Sequence, residues 1–192
     1  MTPHILLVGM MGAGKTTTGQ LVASRLGWRY RDSDADVEEA TGLTVPELFA
    51  RDGEAAFRRA EARVLARACD DPKPSVISVA GGAVLSAENR SLISRSGLVV
   101  WLRANPETLA HRVGDGEGRP LLDDDPAANL VRLNEVRAPL YAEVCQFRID
   151  VEGSTPEEVA DQVIARWRET GAGAGATGAG AGSEATPSGP RP

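Results

Sequence analysis

A chain of 192 residues is long enough for one domain with a sizeable core. Its content of 42% hydrophobic and 25% charged residues indicates a soluble globular protein, and its net charge of −6 gives no broad basic surface for nucleic acid. No apolar run approaches the roughly 20 residues of a membrane span, and no signal-peptide pattern precedes the first apolar run, so we expect a cytoplasmic protein.

The first predicted element is a strand that leads into a glycine-rich turn. His4–Val8 is apolar, residues 9–16 follow, and residues 17–26 have a helical pattern. Glycine, four residues, glycine, lysine and threonine between a strand and a helix form a phosphate-binding loop. We expect Lys15 to reach the β- and γ-phosphates of a nucleotide and Thr16 to put its hydroxyl on Mg²⁺. The alternative, a glycine-rich turn with a surface lysine, leaves the agreement of spacing, residue types and flanking structure unexplained.

A second predicted strand, over residues 28–31, leads to Asp32 and Asp34. Residues two apart on a strand point to the same face, and ligands of α/β folds bind at the carboxyl ends of the strands. We favour one carboxylate near Mg²⁺ and the other near the phosphoryl acceptor. The alternative is that Asp34 is the N-cap of a helix over residues 35–40.

The next helix is predicted to start at Thr44, whose cap is completed by Glu47, and to break at Gly53, after which a longer helix is predicted over residues 54–68. Arg58 and Glu61 are three residues apart on it and are therefore neighbours on its surface. Such a pair is usually exposed and contributes a few tenths of a kcal/mol. From the helix alone we favour this structural interpretation.

A third predicted strand, over residues 75–79, ends at Gly81 and Gly82. Glycines at the end of a strand let the backbone approach a ligand closely, and a tight turn explains them equally well. Further along the chain we predict a helix over 87–95, a fourth strand over 98–102 and a helix over 106–113.

Residues 114–125 alternate between glycines and acidic residues, which predicts a mobile loop. Arg119 is the one cation in this segment. In a phosphate-transfer protein, such a loop is a candidate lid that carries its arginine to the transferring phosphate. The alternative is a solubilising loop.

The last part of the domain is predicted to be a helix, a strand and a helix. The helix over residues 127–144 contains Pro139, so we expect a kink or a break near Val136. A fifth strand is predicted over residues 147–151, and Ser154 is expected to cap a final helix that starts at Pro156.

The chain ends in a glycine- and alanine-rich segment that has almost nothing to bury, so we predict one domain over residues 1–170 and a disordered tail over 171–192. Five alternations of strand and helix predict a parallel α/β sheet covered by helices. Cys69 and Cys145 lack metal-ligand spacing, and we expect free thiols in a reducing compartment rather than a disulfide.

The order and spacing of these motifs resemble the shikimate kinase family over roughly residues 4–168. The segments that carry the resemblance are residues 9–16, 32–34, 52–54, 57–59 with Glu61, 81–83, 119–122 and 137–141. The resemblance implies the nucleoside-monophosphate-kinase-like fold, a three-layer sandwich whose five-stranded parallel sheet has the order 2-3-1-4-5. It also implies phosphorylation of the 3-hydroxyl of shikimate with ATP and Mg²⁺, by a cytoplasmic monomer without a nucleic-acid or membrane partner.

The resemblance further implies a role for each matching residue. Lys15, Asp34 and Arg119 would be catalytic. Asp34, Arg58, Arg137 and the backbone of Gly81 and Gly82 would bind shikimate, with the two arginines on its carboxylate and Glu61 orienting Arg58. Thr16 and Asp32 would serve Mg²⁺. The nucleotide would be bound by Gly12, Ala13, Gly14, Lys15, Thr16, Thr17, Arg112, Arg119 and Pro156.

Four other functions have to be weighed against this one. A sugar-acid kinase such as gluconate kinase has a similar loop and also needs a carboxylate clamp. Nucleoside monophosphate kinases have Asp-Gly-Phe-Pro-Arg after the third strand, where this chain has residues 80–83 without that segment. A GTPase-like switch lacks support because no lysine follows an asparagine. A non-catalytic nucleotide-binding protein would show no turnover.

Overall fold

The computed structural model describes residues 4–114 and 125–171. In these ranges the strands are β1 (His4–Val8), β2 (Arg29–Asp32), β3 (Ser75–Ser78), β4 (Gly97–Arg103) and β5 (Phe147–Asp150). The helices are α1 (Lys15–Leu26), α2 (Ser33–Thr41), α3 (Val45–Cys69), α4 (Ala87–Arg95), α5 (Pro106–Val113), α6 (Pro126–Val144) and α7 (Pro156–Glu169).

The strands form one parallel sheet in the order β2-β3-β1-β4-β5, which confirms the predicted fold. All five residues of β1 and all four of β3 are buried. Near-continuous apolar runs such as β1 are typical of parallel strands that are covered on both faces. Because β1 lies at the centre of the sheet, the loop that follows it emerges in the middle of the carboxyl edge, where α/β folds bind their ligands.

Two helix caps differ from those considered for the sequence. The N-cap of α2 is Asp32, whose carboxylate accepts the N–H of Asp34, so the alternative in which Asp34 caps a helix over residues 35–40 is wrong. The N-cap of α7 is Thr155, and Ser154 was the wrong residue. Thr155 and Glu158 form a reciprocal capping box, which satisfies two backbone donors.

The two predicted helix interruptions have different outcomes. Gly53 has φ 77° and ψ 171°, which is not helical, so α3 is broken there as predicted. The predicted break near Val136 is wrong, because α6 continues through Pro139. The helix buries one face that includes Leu130 and Tyr141, and this packing offsets the hydrogen bond that a proline removes.

Several predictions concern segments outside the described ranges. The body of the predicted lid, with Arg119, and the tail beyond residue 171 lie outside the residues that the structure describes.

Cys69 is buried, Cys145 is partly exposed, and both thiols are free. None of the helices described is long and apolar enough to cross a membrane.

Two hydrophobic clusters are present. The larger one surrounds the sheet, and the smaller one joins α2 and α3 around Val37, Leu48, Phe57 and Val64. The α2–α3 pair therefore has a small core of its own beside the carboxyl edge of the sheet. This arrangement gives the strand ends one wall of a cleft.

Candidate active site

A cleft of about 530 Å³ opens between the phosphate loop and the α2–α3 pair. It is lined by the loop after β1, the end of β2, the start and middle of α3, the turn after β3, and one arginine each from α5 and α6. Of the predicted site residues, those that line it are Gly12, Gly14, Lys15, Thr16, Thr17, Asp32, Asp34, Arg58, Gly81, Gly82, Arg112 and Arg137.

One end of the cleft is built to bind phosphates. Gly12 (φ 78°) and Gly14 (φ 86°) have left-handed backbone conformations that only glycine adopts without strain. Gly14 is the N-cap of α1 and has no side chain to cap it, so the first N–H groups of this helix face the loop. Lys15 Nζ donates to the carbonyl oxygens of Gly9 (2.9 Å) and Met10 (3.0 Å). The loop therefore has the backbone N–H donors and the cation that binding of a nucleoside triphosphate requires.

Thr16 and Asp32 lie beside the loop, and the Thr16 hydroxyl donates to Asp32 Oδ2 at 3.1 Å. Hydroxyl and carboxylate oxygens are ligands that suit Mg²⁺, which is usually held by one or two protein groups together with substrate phosphates. The described residues contain no group of three or more His, Cys, Asp or Glu side chains that could hold a metal ion. Thr16 and Asp32 therefore fit a Mg²⁺ ion that depends on bound phosphates for most of its coordination.

Asp34 is one of the carboxylates that line the cleft, and it is exposed. Surrounding protein raises its pKa above the ordinary value, and the neighbouring charge of Asp32 raises it further. Lys15 and Arg58 oppose this effect. A raised pKa makes this carboxylate a better proton acceptor for a hydroxyl group that lies against it.

Two arginines line the cleft beside the turn after β3. Arg58 donates through Nη1 to both carboxylate oxygens of Glu61 (3.0 and 3.1 Å) and through Nη2 to Glu54 (3.0 Å). Arg137 is only 2% exposed, and its Nε has no hydrogen-bond partner. A buried guanidinium N–H without an acceptor is costly, so the second arginine has the capacity to bind an anion.

The two glycines after β3 lie directly beneath these arginines. A Cβ atom at Gly82 would collide with the guanidinium of Arg58, at 2.6 Å from its Cζ. A Cβ atom at Gly81 would lie 3.4 Å from Arg137 Nη1, and the Gly81 carbonyl accepts a 2.7 Å bond from the Tyr141 hydroxyl. The two glycines thus allow other groups to come close to the backbone, and the groups that do so are the side chains of Arg58 and Arg137.

Glu61 connects the two arginines. Its side chain is 1% exposed, and burial raises its pKa to about 7, although Arg58 and then Arg137 lower it. Arg58 is 23% exposed, so the pair is partly buried and the surface interpretation drawn from the helix alone is wrong. The tertiary structure buries Glu61 beside Arg58, and one helix cannot show this.

The remaining predicted residues are distributed as follows. Arg112 lines the cleft, and its Nη1 donates to the Gly12 carbonyl at 3.3 Å, beside the phosphate loop. Ala13 is buried in the loop, where its N–H donates to the Met10 carbonyl. Pro156 is the first residue of α7 and does not line the cleft.

Sequence reasoning missed the apolar wall of the cleft. Val45, Pro46 and Phe49 line it from the first turns of α3, next to Phe57. The rings of Phe49 and Phe57 are 4.8 Å apart. In the sequence these residues read as the buried face of a helix, and only the position of α3 over the cleft shows that part of this face is open to a ligand.

The comparisons with known proteins agree with this geometry. The family model for shikimate kinase matches residues 11–168. The shikimate kinase of Ruegeria pomeroyi is 46% identical over 162 residues, which are 84% of this chain and 83% of that protein. The shikimate kinase of Acinetobacter baumannii, solved in complex with shikimate, is 35% identical with a TM-score of 0.84, covering 88% of this chain and 95% of the other.

The rival family is also represented among similar structures. A gluconokinase from Sinorhizobium meliloti is 20% identical with a TM-score of 0.56, covering 88% of this chain and 93% of the other, and this likeness shows a shared fold alone. The family model, the relative from Ruegeria pomeroyi and the structure from Acinetobacter baumannii are all named shikimate kinase. The chain belongs to the shikimate kinase family.

Proposed function

We propose that the chain transfers the γ-phosphoryl group of ATP to the 3-hydroxyl of shikimate, which yields shikimate 3-phosphate and ADP on the route to chorismate and the aromatic amino acids. The observation that carries this proposal is the composition of the cleft. The same cleft is lined by a phosphate loop, by Arg58 and by a buried Arg137 whose Nε lacks an acceptor. Shikimate is a carboxylate with several hydroxyls, and paired guanidinium groups bind a planar carboxylate well.

At the phosphate end, the loop and Lys15 hold the nucleotide and stabilise the negative charge of the transferring group. Thr16 and Asp32 would hold Mg²⁺, which when bound neutralises charge on the phosphates. Arg112 would lie against the nucleotide, since it is already bonded to the loop at Gly12. Arg119 would complete the site from the lid.

At the acceptor end, Arg58 and Arg137 would bind the carboxylate, and the backbone at Gly81 and Gly82 would position ring hydroxyls. The 3-hydroxyl oxygen attacks the γ-phosphorus, the bond from this phosphorus to the bridging oxygen of ADP breaks, and the hydroxyl proton passes to Asp34. The raised pKa of Asp34 supports this last role. Most of the rate enhancement comes from positioning and charge stabilisation, since phosphoryl transfer needs little covalent help.

Two further expectations belong to this proposal: the chain acts as a monomer, and it works in the cytoplasm. All the catalytic groups proposed above come from one chain, so a second copy is not needed to complete the cleft. Light scattering at assay concentration tests the oligomeric state, and a dimer that dissociates with loss of activity would contradict it.

The test of the function is a coupled assay of ADP release with ATP and Mg²⁺. We expect release to depend on shikimate, while gluconate at the same concentration gives no more than the background rate. Lys15→Ala is the control variant and should abolish the shikimate-dependent rate. Turnover with gluconate but not with shikimate would overturn the substrate assignment, and no turnover with either acid would overturn the kinase assignment.

A further inference from the structure

A hydroxyl network lies under the proposed Mg²⁺ site, and its central member is Tyr30. Tyr30 Oη is 2.8 Å from Asp32 Oδ2 and 2.9 Å from Ser78 Oγ. A phenol has one proton, and the carboxylate is the stronger acceptor, so Tyr30 donates to Asp32 and accepts from Ser78. Neither Tyr30 nor Ser78 has a role in the reaction as described so far.

The network fixes both oxygens of the Asp32 carboxylate. Oδ1 accepts the N–H of Asp34 at 3.1 Å, and Oδ2 accepts the hydroxyls of Thr16 and Tyr30. The Asp34 bond is part of the cap of α2 and belongs to the backbone. Tyr30 is therefore the side chain from the sheet that holds Oδ2 against Thr16.

The strand register explains why these groups meet. Tyr30 and Asp32 are two residues apart on β2 and point to the same face, and Asp32 pairs with Ser78 of β3. A Cβ atom at Gly19 of α1 would lie 2.6 Å from Tyr30 Cε2 and 3.2 Å from Ser78 Oγ. A glycine inside a helix lowers its stability, and here it leaves the space that the phenol ring fills.

The phenol is suited to a permanent donor role. Tyr30 is half-buried, and its hydroxyl has one proton, which it donates to the Asp32 carboxylate. Its ring position is fixed by α1 on one side and its oxygen by two partners on the other. The hydroxyl is thus pre-organised before any ligand binds.

From this geometry we infer that Tyr30 is a positioning residue for metal binding: it holds Asp32 against Thr16 and so strengthens the hold on the Mg²⁺–nucleotide complex. The inference rests on the proposed function, because it takes Thr16 and Asp32 as the residues that serve Mg²⁺. It concerns Tyr30 alone, which acts through Asp32 and touches neither the nucleotide nor shikimate.

Tyr30→Phe keeps the ring and removes only the hydroxyl. We expect the factor by which Mg²⁺ tightens ADP binding, measured by titration calorimetry with Mg²⁺ and with EDTA, to fall by about tenfold, in line with the loss of a hydrogen bond to a charged group. ADP affinity in EDTA should stay within about twofold of wild type. Tyr141→Phe is the matched control, since it removes the other tyrosine hydroxyl, which binds Gly81, and should leave the Mg²⁺ factor unchanged.

A double-mutant cycle with Asp32→Asn separates positioning from a general structural effect. If Tyr30 acts through Asp32, Tyr30→Phe should have no further effect on the Mg²⁺ factor once Asp32 is an amide. An equal effect in both backgrounds would overturn the inference, and so would a wild-type Mg²⁺ factor in Tyr30→Phe. Absence of ADP binding by the wild-type chain would instead overturn the proposed function, together with this inference.

A second measurement needs no variant at Tyr30. The chain contains two tyrosines, so protein labelled with ¹³C at tyrosine Cζ gives two signals, and Tyr141→Phe assigns them. Addition of Mg²⁺ to the ADP complex should shift the Tyr30 signal and leave the Tyr141 signal in place. A Tyr30 signal that does not respond to Mg²⁺ would overturn the inference even if Tyr30→Phe failed to fold.

Discussion

Arg137→Met should make the protein more stable and at the same time weaken shikimate binding. The guanidinium of Arg137 is 2% exposed, and its Nε has no acceptor. An unsatisfied buried donor of this kind costs about 1–3 kcal/mol, and exchange of a buried charge for an apolar group of similar volume is often neutral or stabilising. Methionine is unbranched and apolar and can fill the same space.

The magnitudes follow from these values. Part of the gain is lost because Glu61 loses one of its two cationic neighbours, so we expect a net gain of about 1 kcal/mol, which raises Tm by roughly 2–4 °C in a domain of this size. Loss of a charged hydrogen bond of about 1.5–3 kcal/mol should raise the KM for shikimate by about ten- to 150-fold. The KM for ATP should change much less, because the loop, Lys15 and Arg112, which would hold the nucleotide, are left in place.

Thermal melts with and without shikimate, combined with the coupled assay, measure both effects. Wild-type protein should melt at a higher temperature with shikimate, and the variant should not, because a ligand stabilises only the form that binds it. Arg132→Met on the same helix is the control, since Arg132 is exposed and bonds to Asn129. A lower Tm for Arg137→Met, or an unchanged KM for shikimate, would refute the view of Arg137 as an unsatisfied group that the carboxylate completes.

Three other predictions concern the remaining parts of the chain. Arg119→Ala should lower kcat by about 10³-fold in the coupled assay, because an arginine on the transferring phosphate is worth at least that much in related chemistry, and unchanged turnover would remove the lid assignment. His4→Phe should reduce the loss of stability at acid pH. Burial lowers the pKa of His4, so its contribution to stability is complete above about pH 6.5 and decreases as the pH falls below that value. An equal fall of Tm in both proteins between pH 8 and 5 would contradict this. Removal of residues 171–192 should leave kcat and KM unchanged, whereas a large loss of activity would show that the tail takes part.

The His4 prediction depends on a buried ring without good partners. The side chain is 0% exposed, and neither ring nitrogen makes a hydrogen bond of acceptable geometry. Backbone groups of Cys69 and Asp71 lie close enough to raise its pKa somewhat, but burial has the larger effect and lowers it. Phenylalanine has a similar shape and no proton to take up.

Features set by local sequence were predictable. The phosphate loop and the start of α5 at Pro106 require only a few adjacent residues, and the structure has both where the sequence places them. The cap of α7 was missed because Ser154 and Thr155 both have a glutamate three residues further on, so capping-box spacing alone does not choose between them. Pro156 was the signal that could have decided, since proline favours the first helical position and so makes Thr155 the cap. The sheet order came from resemblance to a family, since strand patterns alone do not fix the order.

Features set by tertiary packing were not predictable from one segment. Arg58 and Glu61 read as a surface pair on α3, and their burial depends on where α6 and the turn after β3 are placed. Pro139 has no backbone N–H for the helical hydrogen bond, so the sequence predicts an interruption there. The packing of the buried face of α6 outweighs the loss of this bond, and the helix is continuous. Tyr30 reads as one residue of a short strand, and only the register with β3 brings its hydroxyl to Asp32 and Ser78.

A crystal structure of the chain with ADP and shikimate tests the central claim most directly. We expect the ADP phosphates to lie on the loop around Lys15 and the 3-hydroxyl to lie against Asp34. The shikimate carboxylate should lie between Arg58 and Arg137 and accept a hydrogen bond from Arg137 Nε. A complex in which the ring carboxylate lies away from both arginines, with Arg137 Nε still unpaired, would contradict it.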